Sequence, residues 1–389
     1  MATASRSEPA PRVDTGSVPT GDLLDLGGGR RAAPRWPRWL LVSVAGLVAA
    51  VGFAQLPRPG PVPAAAPVTP APSPTTSAPP VAVTTLGHSL LGVTGRWELF
   101  GRGDGRVVRI ELARGRVTMT TLPVLLSDAP VSFVVTGDRA LVRSLDEVPA
   151  YVVPDGRPAR PMPPSLGRAG PAFAGPRPGT VWVQATEGPR PVLELHQAAG
   201  GPALAAIRVP EDNGLWEAGP DGTGRLVFRI TGGVYLAGPS GLRRITTGAL
   251  LAAGATRWLT LECDDAHRCR TVVTDRATGR HRALPVGLGV GVPRGAIAPD
   301  GRTAAMFRVG PGGTVTPYLL DLGTGATRLI GLRLDQAAGE GTVVWSPDSR
   351  WLFAAGADGQ IRAIDPATGQ VTMLGVGLPE LSQLAVRAA

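Results

Sequence analysis

Residues 341–374 read GTVVWSPDSRWLFAAGADGQIRAIDPATGQVTML. The runs GTVVW, WLFAA, IRAID and QVTML are rich in β-branched and aromatic residues, whereas SPDS, GADG and PATG carry the Pro, Asp, Ser and Gly that tight turns require. The stretch is a unit of four short strands joined by three hairpin turns.

Its punctuation recurs upstream. The motif D-x-x-T-G occurs at Asp275/Thr278/Gly279, Asp321/Thr324/Gly325 and Asp365/Thr368/Gly369, at intervals of 46 and 44 residues. Its mechanism is local: the Asp carboxylate accepts from a backbone N–H two residues on, and Gly supplies the positive φ that closes the turn. The turn between first and second strands gives a second series. SPDSRW, with Pro347 and Asp348, matches APDGRT, with Pro299, Asp300 and Gly301, and more loosely GPDGTGR at 219–225. Weaker copies are GVTGRW, VTGDRA, AGPRPGT and AGATRW. Each copy precedes a strand-like run, so the spacing predicts seven units of about 42 residues over 85–389. Alternation as in VVRIEL, with no helical period, makes the body all-β. The expected fold is a seven-bladed β-propeller of four-stranded antiparallel blades, preceded by a single transmembrane helix. To close the ring, one of VAVTTL (81–86), LLGVTG (90–95) or LSQLAVR (381–387) must complete a blade shared between the two ends.

WSPDS, IAPDG and the three D-x-x-T-G turns resemble the TolB-like and WD-type propeller repeats, most closely over 248–374. The resemblance implies strands A to D running outward from a central axis. The A–B and C–D turns then share one face, and the B–C loops and D–A connectors share the other. DGQIRAIDPATGQV is also similar to the repeat of quinoprotein propellers, but the docking Trp that this repeat expects near Met373 is missing. No cofactor is expected.

The body is carried on an N-terminal apparatus. Residues 1–35 are polar, with no sustained apolar period, and read as a disordered cytoplasmic tail. Residues 36–56 read as a transmembrane helix. Its apolar run Trp39–Leu56 contains no charge, Arg30, Arg31, Arg35 and Arg38 precede it, and Trp36 and Trp39 mark the interface. That charge asymmetry places the N-terminus in the cytoplasm and the body outside, in the plasma membrane. A cleaved signal peptide, with small residues at Ala64–Ala66, is the rival reading. The long preceding region and long apolar run favour an uncleaved signal anchor. Residues 57–84 hold ten prolines and read as a semi-rigid, extended stalk.

The net charge is +9, every basic residue is Arg, and there is no Lys. No basic helix or aromatic-interleaved basic run accompanies that charge, so no nucleic-acid partner is expected. Cys263 and Cys269 are the only cysteines. They flank the B–C loop of the fifth unit, and outside the cytoplasm an even count reads as a disulfide. Metal binding by Cys263, Asp264, Asp265, His267 and Cys269 is the sharper alternative, weakened by ligands of mixed hardness without paired C-x-x-C spacing. The four histidines, His88, His196, His267 and His281, form no spaced pair, and no nucleophile elbow is present. Arg102-Gly103-Asp104 spells an adhesion-like tripeptide on the first B–C loop, but in an Arg- and Gly-rich chain the plain hairpin turn is by far the better reading.

The expected function is therefore binding, not catalysis: a protein or cell-envelope ligand held at the B–C/D–A loop face, with the lipid bilayer engaged through residues 39–56. A propeller hydrolase or lyase with paired carboxylates at the channel mouth is the alternative, and a structural spacer the third.

Overall fold

The computed structural model describes residues 81–388 except 104, 125–130, 145–148, 167–169, 188–189, 210–215, 231, 239–240, 289–294, 311–314, 335–340 and 376. Apart from one 3-10 turn, Leu112–Arg114, the regular structure of these residues is β.

The strands fold as antiparallel meanders in chain order. Val131–Thr136, Arg139–Ser144, Tyr151–Pro154 and Arg160–Pro161 form the second sheet. Ala172–Ala174, Thr180–Glu187, Arg190–Gln197 and Ala205–Arg208 form the third, and Trp216–Pro220, Leu226–Ile230, Gly233–Gly238 and Gly241–Thr246 the fourth. Two further meanders follow. One comprises Ala249–Ala253, Arg257–Cys263, Cys269–Asp275 and His281–Ala283. The other comprises Gly295–Ile297, Thr303–Val309, Val315–Asp321 and Thr327–Leu329. Val343–Trp345, Leu352–Ala355, Ile361–Ile364 and Val371–Met373 make the last sheet. First strands of most successive meanders touch one another, which puts them innermost in a propeller-like ring with the outer strands fanning away.

The first sheet closes the ring. Its five strands run, from the rim inward, Val81–Thr85, Arg116–Thr121, Arg106–Glu111, Glu98–Gly103 and Gln383–Arg387. The C-terminal strand takes the innermost place, pairs with Glu98–Gly103 in register Phe100↔Ala385, and touches both Val131–Thr136 and Val343–Trp345. Close approach here depends on Gly103, where an added Cβ would lie 2.2 Å from the Glu380 carbonyl oxygen. Leu381 and Leu384 are buried with Leu99, Val108, Ile110, Phe353 and Ile361, and Trp97 meets Phe353 edge-on at 5.7 Å. Burying each such leucine is worth roughly 1.5–3 kcal/mol, so the last strand is a core element.

These pairings correct the expected architecture. Seven separate four-stranded blades are not what forms: the described strands make six hydrogen-bonded sheets, four with four strands, one with five and one with eight. The eight-stranded sheet arises because Ala252 and Ala253 pair in parallel with Gly295 and Ala296, where two inner strands of small residues converge. The five-stranded sheet arises because both chain ends join it. LLGVTG at 90–95 is turn and bend, not a first strand. Residues 81–84, read as the end of the stalk, belong to the outermost strand of the closing sheet. Among the described residues no helix is long and apolar enough to cross a membrane. The run read as a transmembrane helix at 36–56, the tail 1–35 and the stalk up to residue 80 lie outside the described residues.

Candidate functional site

The repeated turns join strands and hold neighbouring sheets together. Asp275 Oδ1 accepts from Ala277 N at 3.1 Å, Thr278 N at 2.9 Å and Thr278 Oγ1 at 2.8 Å. Asp321 accepts from Gly323 N, Thr324 N and Thr324 Oγ1 at 2.8, 2.6 and 2.9 Å. Asp365 accepts from Ala367 N and Thr368 N. Gly279, Gly325 and Gly369 have φ of 71°, 81° and 77°, and each donates its N–H back to the motif aspartate's carbonyl. The hydrogen bonds from Thr278 and Thr324 hold the Asp275 and Asp321 carboxyls below the usual range. All three turns link third to outermost strands. In the A–B series, Asp300 accepts from Arg302 N at 2.9 Å, beside Pro299 and with Gly301 at φ 71°. Asp348, after Pro347, accepts from Ser346 Oγ at 2.5 Å. Asp300 N donates to Ser349 Oγ, linking two successive A–B turns.

Arginines extend this framework between sheets. Arg282 and Arg328 each stand seven residues past the motif aspartate, on an outermost strand. Arg282 donates to the Leu322 carbonyl, and Arg328 to the Pro366 and Ala367 carbonyls, in each case the C–D turn of the following meander. In the fourth sheet's A–B turn the fully buried Asp221 accepts from Thr223 N, Thr223 Oγ1 and Arg225 N, and pairs with Arg276 Nη2 at 2.6 Å. Arg276 also caps the Gly254 carbonyl at 2.6 Å and lies over the Trp258 ring at 4.8 Å.

The densest charge cluster lies where the closing sheet meets the second. Arg387, on the last strand, donates from Nε to Glu98 Oε2 at 3.0 Å and from Nη2 to the same oxygen. Its Nη1 reaches Asp155 Oδ1 at 3.1 Å and the Gly137 carbonyl at 2.7 Å, its Nη2 reaches Asp155 Oδ2 at 2.6 Å, and its guanidinium sits 4.8 Å over Phe100. Arg109 pairs with Glu98 at 2.5 Å, Asp155 at 3.5 Å and Glu111 at 3.7 Å, and Arg114 with Glu111 at 3.0 Å. Beside them is a small crevice, with room for about one water molecule, partly open to solvent and lined by Phe100, Arg109, Thr118, Thr120, Val153 and Asp155. Glu98 and Asp155 thus meet on one guanidinium. Burial pushes the Glu98 carboxyl up, but the guanidinium groups of Arg109 and Arg387 outweigh it and leave Glu98 below its ordinary value. A general acid needs the opposite, a carboxyl kept protonated by an apolar or like-charged setting. The arrangement latches the last strand to two sheets.

The other sequence-flagged residues are dispersed. Cys263 and Cys269 form a disulfide at an exposed hairpin tip between second and third strands. His88 is exposed, His267 sits in that same tip, and His281 contacts Thr274 Oγ1 at 2.9 Å. His196 is buried between Glu194 and the Gly201 carbonyl. Among the described residues no three His, Cys, Asp or Glu side chains come together as metal ligands. Arg102 of the adhesion-like tripeptide is buried and donates to Gln383 Oε1, so it does not present itself to a partner, and Asp104 lies outside the described residues. Sequence reasoning missed Glu98, Asp155, Arg276 and Arg387, and it placed Asp221 only within the loose turn copy GPDGTGR. An acid inside the strand run WELF was a further visible signal.

No family model matches the chain, and no curated protein sequence matches it. Solved structures align with it at low identity. TolB from Acinetobacter baumannii aligns with a TM-score of 0.43 and 14% identity over 75% of this chain; the chain spans 66% of that protein's length. A functionally unknown protein from Desulfotomaculum acetoxidans DSM 771 aligns at TM-score 0.47 and 12% identity, over 74% of this chain and 98% of that one. A candidate 6-phosphogluconolactonase from Bacteroides fragilis NCTC 9343 gives 0.47 and 12%, over 75% and 98%.

Proposed function

We propose that the chain is a membrane-anchored, extracytoplasmic binding module that presents its B–C loops and D–A connectors to a protein or envelope-polymer ligand. The observation that carries this reading is a division of labour between the two ends of the strands. The D-x-x-T-G turns, the arginine bridges and the Glu98–Arg387–Asp155 latch all use the A–B and C–D end, where side chains are committed to one another. The opposite end carries loops of unequal length and sequence, whose ion pairs Arg268–Asp264, Arg270–Glu262 and Arg362–Asp358 stay within single hairpins, and such loops are the places where a rigid scaffold carries recognition. The uncharged run Trp39–Leu56, preceded by arginines, supplies the anchor and the orientation.

The test is positional. A photo-cross-linker placed in the full-length protein at Arg268 or Val309, on the loop side, is expected to capture the same partner in intact cells; one at Ala277 or Ala367, on the turn side, is not. Protease added outside the cells should remove a C-terminal tag and spare an N-terminal one. Adducts confined to the turn side, or a protected C-terminal tag, would overturn the reading.

A further inference from the structure

Arg143 is the penultimate residue of the second strand of the second sheet, on the loop side of the ring. It is 2% exposed, and its Nε, Nη1 and Nη2 have no hydrogen-bond partner among the described residues. Its direction follows from its register. Arg143 stands opposite Ser132, whose Oγ accepts from Ala172 N at the start of the third sheet. Leu141, two residues earlier on the same face, packs with Leu166, Ala172 and Val183. The guanidinium therefore lies in the gap between the second and third sheets, at its loop end, above an apolar floor. Burial alone, with no carboxylate contribution, draws its pKa down to about 10, so it stays charged at neutral pH.

This sets Arg143 apart from the ion-paired buried arginines. Arg276 has Asp221, Arg387 has Glu98 and Asp155, and Arg109 has Glu98. A buried guanidinium without a counter-charge is among the costliest groups a fold can carry, and its planar fork of N–H donors fits the two oxygens of a carboxylate or phosphate. We propose that Arg143 anchors a site for a small oxyanion, a carboxylate or phosphate group, entering between the second and third sheets from the loop face. The proposal rests on the reading of that face as the binding face and names the chemistry it selects.

The experiment titrates the full-length protein with sodium acetate and, separately, sodium phosphate at constant ionic strength, following calorimetric binding and thermal unfolding. Wild type is expected to show saturable binding of at least one anion and a saturating rise in Tm of about 2–4 °C; which anion binds identifies the group. Arg143→Met should lose both effects, and Arg143→Lys, which keeps the charge but not the fork, should bind acetate at least about ten-fold more weakly. No saturable effect in wild type, or an equal effect in Arg143→Met, overturns the proposal. Should Arg143→Met not fold, equal affinities for wild type and Arg143→Lys overturn it instead. Binding that appears only after Asp146→Asn and Glu147→Gln would mean that the chain's own acids neutralise Arg143, and also overturns it. Loop-side cross-links without any anion effect would sink this inference alone; anion binding without loop-side cross-links would sink the broader reading alone.

Discussion

Asp221 and Arg276 show how single side chains tie sheets together. Asp221 is fully buried, and its oxygens serve two backbone N–H groups, a hydroxyl and a guanidinium. Asp221→Ala strands the Arg276 charge in the interior, a loss of about 3–5 kcal/mol when one partner of a buried pair is removed. Thr223→Val, which removes one hydroxyl bond, should cost about 1 kcal/mol. Urea unfolding of the two variants checks this, and equal losses would refute the lock. Glu98 gives a pH signature. Its carboxyl is held below the unfolded-state value of about 4.3, so it adds stability above that pH and loses the contribution as pH falls through the lower folded value. Melts between pH 7 and pH 3 should show a nearly level Tm above pH 5 and a decline below about pH 4 that is shallower in Glu98→Gln. Parallel curves would sink the assignment.

At the scale of elements, the three D-x-x-T-G hairpins were legible in the sequence because their chemistry is local. An Asp reaching N–H groups two and three residues on, and a Gly at positive φ, leave a five-residue signature wherever they occur. The disulfide was legible for the same reason: two cysteines six residues apart close a hairpin tip. A loop that short constrains the unfolded chain only modestly, so Cys263→Ser with Cys269→Ser should lose about 2 kcal/mol at most. A larger loss in urea unfolding would mean that the tip does more than staple itself. Closure was not legible. Glu98 pairs with Arg387, far away in sequence, and LLGVTG reads as strand-like as LSQLAVR until the register is known. The parallel contact of Ala252–Ala253 with Gly295–Ala296 leaves no mark in sequence, since small residues are common throughout this chain. The latch was hidden by composition: where every basic residue is Arg, no single arginine stands out.

Over the whole molecule, the ring is held at one seam. The C-terminal strand joins the closing sheet to the second and last sheets and carries both Leu384 and Arg387 into contact with them. Deleting Gln383–Arg387 strips buried leucine surface, a latch and the pairing of an inner edge together, and should cost at least about 5 kcal/mol. Deleting Val81–Thr85, whose residues are mostly exposed, should cost on the order of 1–2 kcal/mol. Tryptophan fluorescence and far-UV circular dichroism should report one coincident urea transition for wild type and for the N-terminal deletion, and separated transitions for the C-terminal one. Comparable losses from the two deletions would contradict closure through the last strand.

The placement of the two chain ends also has a mechanical side. Tension along the chain that precedes Val81 arrives at the rim, where it is borne by five residue pairs between Val81–Thr85 and Arg116–Thr121. The innermost strand, at the far side of the same sheet, carries none of that load until the outer strand has peeled. Were the preceding segment held at its far end, the outermost strand would act as a sacrificial link, peeling first and lengthening the connection while the ring stays shut.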